Sequence, residues 1–375
     1  MSVKIPVLSH EFPPVGGGGA QVIQDLCRGL AQRGHEIRVM TTHYAGLPPE
    51  QAINGVLVHR LDCGRQVPYR ARFSEMARFV RSGLWQGLRL IRSWRPDVIH
   101  VHFAVPAGAL AWMLSSLTGV PYLLTVHGGD VPGGAPEKTA GWFRWVYPLT
   151  HPIWRRARRI VAVSEYTRQL ALRHYPVQIE VIPNGFNFSA LYPEEIQLGS
   201  PPRVIWAGRF MPEKNPVQVV RTLSALQDLD WTCVMIGDGP EKSAVEHEIA
   251  RHGLEHRFSI PGWVHQAKVM DWFSKSDVLF MPSFSEGLPI VGLQGLAMGL
   301  AIVATRVGGF VDLVEPAQNG FLVDNPNGTG FSGPLRNLLS DPKMLKSFRQ
   351  ASFSVADRFD IRHMVAAYDD LLKTL

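Results

Sequence analysis

The sequence predicts two α/β domains, each a mostly parallel sheet with helices packed on it. Three observations lead there. Strand-like apolar runs alternate with helix-period segments along the chain, the pattern of crossover connections rather than of hairpins. At 375 residues the chain is too long for one ordinary core, and its 46% hydrophobic residues are enough for two. A polar, proline-bearing stretch, FNFSALYPEEIQLGSPP at about 186–202, interrupts the alternation near the middle and reads as a linker.

The first half offers the strands KIPVLSH, HEIRVMTT, GVLVHRLD, PDVIHVHF, PYLLTVH, RIVAVSE and IEVIPNG. Pro6 fits poorly inside a central strand because it has no N–H to donate. AQVIQDLCRGLAQRG reads as a helix packing from Ala20 onward, with Val22, Ile23, Leu26 and Leu30 on one face and Gly34 as the stop. Residues 69–96 read as a second helix. Its expected apolar face is Phe73, Met76, Val80, Leu84, Leu88 and Ile91, with Arg78, Arg81, Arg89 and Arg92 along a flank around Trp85. The second half offers RVIWAGR, WTCVMIGDG, FSIPGWV, DVLFMPS, AIVATR and GFLVD, and the chain closes on an amphipathic helix, IRHMVAAYDDLLKTL.

Charge is unevenly shared. Residues 1–190 hold 21 Lys and Arg against 11 Asp and Glu, whereas the remainder holds 17 against 21. A basic first half favours an anionic partner. No run of eighteen apolar residues offers a membrane span, and the start lacks a secretory leader pattern, so a cytoplasmic protein is expected. Cys27, Cys63 and Cys233 lie far apart without CxxC spacing and read as buried thiols.

Chemistry concentrates where strands give way to helices. Gly16 to Gly19 follow the first strand and let backbone amides approach a ligand. AGRFMPEKN places Arg209 and Lys214 across one turn, a guanidinium fork and a point charge within reach of one diphosphate. HGGD puts His127 at a strand end. In PSFSEGLPIVGLQGLAMG, Glu286 occupies a turn, Pro289 suits the first helical position and Gly299 closes the helix, which leaves the Ile290 and Val291 amides as an anion site. Asp238 in GDGP reads as a turn residue, with helix capping as the other reading. Asp228-Leu229-Asp230 reads as a solvated turn. His100 and His102 share a strand face and read as packing residues, since no carboxylate or cysteine accompanies them at metal-ligand spacing.

These motifs, from the glycine-rich start to about residue 330, resemble those of the retaining glycosyltransferases of family 4. AGRFMPEKN matches the GRxxxxKN pattern, and the Glu286 segment matches the glutamate-x7-glutamate signature with one departure: the second glutamate position holds Gln294. The resemblance implies the GT-B fold, two Rossmann-like doubly wound domains facing a central cleft. The implied borders are 1–188 and 189–358, with a final helix at about 359–375 returning to the first domain. It also implies transfer of a sugar from a nucleotide-diphosphate sugar, UDP slightly preferred over GDP, with retention of anomeric configuration and without a metal or other cofactor.

In that scheme Arg209 and Lys214 hold the diphosphate, Glu286 orients the sugar and His127 meets its C6 hydroxyl. Gly16, Gly17, Val264, Gly287, Leu288, Ile290, Val291 and Gln294 complete the donor site. The acceptor is a glycan, a lipid-linked molecule or a small hydroxyl compound. The basic helix at 69–96 and a second Trp-Arg cluster at 141–159 point to an anionic membrane surface, and no nucleic-acid partner is expected. Two other readings stand beside this one: a GT-B nucleotide-sugar epimerase, and a non-catalytic sugar-nucleotide binder weakened at Gln294.

Overall fold

The computed structural model describes residues 2–68, 71–134, 136–188 and 195–375. The chain forms two compact units, residues 1–185 with 361–375, and residues 186–360. The expected linker and domain border fall partly on residues 189–194, outside the described residues.

The first unit contains β1 (Lys4–Leu8), α1 (Gly18–Gln32), β2 (Glu36–Thr42), β3 (Glu50–Ile53), β4 (Val56–Leu61), α2 (Phe73–Trp94), β5 (Ile99–His102), α3 (Ala109–Thr118), β6 (Tyr122–Val126), α4 (Pro136–Arg156), β7 (Arg159–Ala162), α5 (Glu165–Leu172) and β8 (Glu180–Val181). Its sheet runs β3-β4-β2-β1-β5-β6-β7-β8. All pairs are parallel except β3 with β4.

Strand β3 went unread in the sequence, although its signal is present. Ile53 faces Val56 across Asn54-Gly55, both with positive φ, the two-residue turn that suits a tight hairpin. Pro6 does lie in a central strand. Pairing of β1 with β5 begins at Val7, one residue beyond the proline. IEVIPNG contributes only the two-residue β8.

Helix α2 buries a different line from the expected one. The inward residues are Glu75, Phe79, Gly83, Gly87, Ile91 and Trp94. A methyl on Gly83 would lie 2.5 Å from Leu110 Cδ2, and one on Gly87 2.8 Å from Leu114 Cδ1, so leucine side chains of α3 rest directly on the backbone of α2 here. Val80, Leu84 and Leu88 pack beside that line, whereas Phe73 is exposed. Arg78, Arg81, Trp85, Arg89 and Arg92 follow one another along the outer face, with the Arg89 guanidinium 4.6 Å over the Trp85 ring. In the second Trp-Arg cluster, Trp154 is a core residue stacked 4.0 Å from Tyr175. The side chains of 141–145 lie outside the described ones.

The second unit contains β9 (Arg203–Ala207), α6 (Pro216–Ser224), β10 (Thr232–Ile236), α7 (Lys242–Arg251), β11 (Phe258–Gly262), α8 (Gln266–Ser274), β12 (Val278–Met281), α9 (Ile290–Ala297), β13 (Ala301–Thr305), α10 (Phe310–Leu313), β14 (Gly320–Val323), α11 (Ser332–Ser340) and α12 (Pro342–Ala356). Its sheet is parallel throughout, in the order β11-β10-β9-β12-β13-β14. The last helix, α13 (Ile361–Lys373), belongs to the first unit. Its Asp369 accepts from Arg33 at 2.7 Å and from His35 at 2.8 Å. His35 Nδ1 accepts from the Val3 amide, so Nε2 is the nitrogen that donates to Asp369. Among the described residues, no helix is long and apolar enough to cross a membrane.

Each strand order reverses once, between β1 and β5 in the first sheet and between β9 and β12 in the second. At such a point neighbouring crossovers leave to opposite faces, and the carboxyl ends of the strands open a crevice.

One buried ion pair ties the second unit together. Arg349 Nη1 lies 2.6 Å from Asp277 Oδ1, and both side chains are buried. Arg349 also donates to the carbonyls of Gly299 and Gln197, and Asp277 accepts from the amides of Gly199 and Arg203. The start of the unit, the foot of β12, the end of α9 and α12 therefore share one charge network. Arg349→Leu strands the Asp277 carboxylate and is expected to cost about 3–5 kcal/mol in chemical denaturation. Adding Asp277→Asn should recover part of that loss. A cost below about 1 kcal/mol, the range of an exposed pair, would mean that the pair is not a tie.

Candidate active site

In the second unit the reversal point gathers the residues singled out in the sequence. Arg209 lies just beyond β9, half-buried, and Lys214 follows in a short 3-10 turn, Pro212–Lys214. Glu286 lies beyond β12 on the neighbouring strand. Lys214 Nζ stands 2.7 Å from both Glu286 oxygens, with side chains 20% and 6% exposed respectively. The sequence motifs imply separate tasks for these two residues, whereas the structure makes them one ion pair. Phe284 N donates to Glu213 O at 2.9 Å, a backbone tie that holds the two loops together.

Pro289 is not the first helical residue. It is the N-cap of α9, with φ −75° and ψ 120°, and its carbonyl accepts from the Gly292 and Leu293 amides. A residue that caps keeps extended backbone, which suits proline as well as the first turn does. The displacement does not alter the anion site. Ile290 and Val291 become the first two helical residues, and their amides meet no acceptor among the described residues. The Gly287 and Leu288 amides likewise meet none. Four donors therefore line the entry to α9, beside a lysine. Gln294 lies one turn beyond Ile290 on the same helix and is buried. Val264 follows β11 and is half-buried beside Trp263, which is 71% exposed.

The sequence reading missed the loop that supports this turn. Val307-Gly308-Gly309 follows β13, and Gly309 N donates to Gly287 O. Gly308 has φ +55°, and a methyl there would lie 1.9 Å from the Glu286 carbonyl oxygen. Glycine is required on both counts. The signal was available as a glycine pair directly after a strand. Ser283 and Thr305, after β12 and at the end of β13, carry buried hydroxyls with no partner among the described residues.

The other sequence candidates of this unit are structural. Asp238 does not cap α7; its Oδ1 accepts from the Gly239 amide at 2.7 Å within the turn. Asp228 forms an exposed two-pronged pair with Arg336, at 2.6 and 2.9 Å.

In the first unit the reversal point gathers a glycine loop and three histidines. Helix α1 begins at Gly18 rather than at Ala20, with Gly17 as its N-cap. Gly16 has φ +110° and donates to Pro68 O, while Gly17 borders open space. His127 follows β6. Its amide donates to Asp130 Oδ1 at 2.9 Å, and Asp130 Oδ2 accepts from the Ala104 amide at 2.7 Å. That buried carboxylate, held above its usual range by burial, joins the HGGD turn to the end of β5. His127 Nε2 lies 3.1 Å from His102 Nδ1, and the Phe103 ring lies tilted against the His127 ring, 4.4 Å between centroids. Phe103 holds φ +71°, a strained value for a bulky residue and one that functional sites tend to keep. Burial, and after it the charge of His10, pushes the His127 imidazole down to about 3, so it is neutral at ordinary pH.

Residues 16–190 match the family model described as Glycosyltransferase Family 4, and residues 192–355 match that of Glycosyl transferases group 1. The 2-deoxystreptamine N-acetyl-D-glucosaminyltransferase of Streptomyces fradiae is 30% identical over 345 residues, covering 84% of this chain and 80% of its own. Among solved structures, sucrose-phosphate synthase from Thermosynechococcus elongatus superposes with a TM-score of 0.87 at 20% identity, over 99% of this chain and 98% of its own. Anabaena HepE in complex with UDP-glucose gives 0.78 at 17% identity over the whole of both chains. Two parallel α/β units, family motifs at both reversal points and these matches agree: the chain is a glycosyltransferase of the GT-B fold and belongs to family 4.

Proposed function

We propose that the protein moves a sugar from a nucleotide-diphosphate sugar to a hydroxyl acceptor with retention of configuration and without a metal. The observation that carries this reading is the Lys214–Glu286 pair beside four amides at the start of α9 that meet no acceptor among the described residues. A cation and a helix N-terminus attract a diphosphate, and the carboxylate is an acceptor for sugar hydroxyls.

Arg209, Lys214 and the Ile290 and Val291 amides stabilise the charge that grows on the leaving diphosphate. Glu286 orients the ring, and His127 meets the sugar. Gly16 and Gly17 leave room at the start of α1, while Val264, Gly287, Leu288 and Gln294 complete the donor site. The bond from C1 to the phosphate oxygen breaks, the bond from C1 to the acceptor oxygen forms on the same face, and the acceptor proton passes to the departing phosphate oxygen. Positioning and electrostatics then do the catalytic work. UDP is the favoured carrier, since HepE is solved with UDP-glucose.

Glu286→Gln and Lys214→Met are expected to lower kcat by about two orders of magnitude or more. Product anomers read by NMR should keep the donor's configuration, and turnover should persist in EDTA. Near-normal turnover in both variants would overturn the site, and inverted product or a strict need for Mg²⁺ would overturn the mechanism. An epimerase would instead yield a new sugar nucleotide without any acceptor.

The outer face of α2 supports a cytoplasmic protein held at an anionic membrane, and through it a lipid-linked or membrane-borne acceptor. Four arginines flank Trp85, which is 62% exposed, so basic charge and an interfacial aromatic share one stripe. Flotation with phosphatidylglycerol vesicles at low salt should retain the protein, and Arg81→Glu with Arg89→Glu should release it. Failure of the unaltered protein to float would assign the stripe to a soluble acceptor.

A further inference from the structure

His102 is buried on β5 and touches no open surface, yet one of its ring nitrogens is bonded to His127. Burial lowers the pKa of both rings, and of His100 beside them, so each imidazole is neutral and carries one proton. Only one proton can lie between His102 Nδ1 and His127 Nε2. The other two nitrogens, His102 Nε2 and His127 Nδ1, are both buried and lack a partner among the described residues.

Two arrangements are open. If His127 Nε2 carries the shared proton, His102 must carry its own on Nε2. That N–H is buried and has no acceptor among the described residues. If His102 Nδ1 carries the shared proton, His102 Nε2 is left with a bare lone pair, and His127 carries its proton on Nδ1. Buried N–H groups without acceptors are rarer and costlier than acceptors without donors. His127 Nδ1 lies beside Gly19, 3.7 Å from where a side chain there would begin. Gly19 is half-buried and puts no side chain over that nitrogen, and His127 is 9% exposed against 1% for His102, so a ligand atom that enters the glycine loop meets Nδ1 and removes the cost of the second arrangement. The first arrangement keeps its cost permanently.

We propose that His102 is a positioning residue that donates from Nδ1 to His127 and so makes His127 an N–H donor, through Nδ1, to an oxygen of the bound sugar. The proposal rests on the reading of His127 as a sugar-facing residue. The layer behind holds His102 in place. His100 stacks 4.2 Å from its ring and bonds Thr125 Oγ1 at 2.9 Å, and Thr125 bonds the Tyr368 hydroxyl of α13 at 3.1 Å. The donor function therefore reaches His127 through three buried elements, β5, β6 and α13.

The test is the tautomer itself, read by long-range 1H–15N correlation on the whole protein labelled at histidine, with His127 assigned from the His127→Gln variant. The expected result is His127 protonated on Nδ1 and bare on Nε2; a proton on Nε2 overturns the proposal. In activity, His102→Asn keeps an amide donor near the position of Nδ1 and should retain kcat within a few-fold. His102→Leu removes the donor and should lower kcat about tenfold to a hundredfold with KM nearly unchanged, the loss that goes with one polar hydrogen bond. Equal losses in the two variants would mean that His102 only packs, and would overturn the proposal. Full turnover in His127→Gln would overturn the sugar-facing reading instead, and the tautomer measured in the unaltered protein separates the two failures.

Discussion

The reversal of strand order in each sheet decides where a ligand can reach this chain. A parallel sheet buries both faces, so a ligand can reach the backbone only at a carboxyl edge where the crossovers part. In the second unit that point lies between β9 and β12, and the sequence places a cation after one strand and a carboxylate after the other. In the first it lies between β1 and β5, with a glycine loop after one and the His102-Phe103 corner after the other. The chemistry is placed by topology, and side chains refine it.

The Lys214–Glu286 pair shows what that refinement involves. The lysine and the carboxylate neutralise each other, which offsets the cost of burying either charge. On the function we propose, a diphosphate competes for the lysine and a sugar hydroxyl for the carboxylate, so a complete donor would satisfy both at once. A nucleoside diphosphate would satisfy only the lysine and leave the Glu286 carboxylate facing a phosphate. The pair would then favour the whole donor over its spent carrier.

Much of this was legible in the sequence, and the remainder failed for identifiable reasons. Strands of the second unit were legible because buried parallel strands are near-continuous apolar runs, as in VIWA and VLFM. Arg209, Lys214, His127 and Glu286 were legible as residues at strand ends. Their pairing was not, since Lys214 and Glu286 meet across 72 positions. Helix α2 was read one line off because the periodicity counts side chains, whereas its closest contact runs through Gly83 and Gly87, which have none. The Gly308-Gly309 support was missed for a similar reason: its role is to be absent where the Glu286 carbonyl stands. His102 read as packing, and only the geometry shows its nitrogen on His127.

The competition for Lys214 can be measured directly by titrating UDP calorimetrically into the unaltered protein, Glu286→Gln and Lys214→Met. Glu286→Gln should bind UDP more tightly, because the lysine is released and a repelling charge is gone, and Lys214→Met should bind it more weakly. Unchanged affinity in Lys214→Met together with weaker binding in Glu286→Gln would contradict that competition.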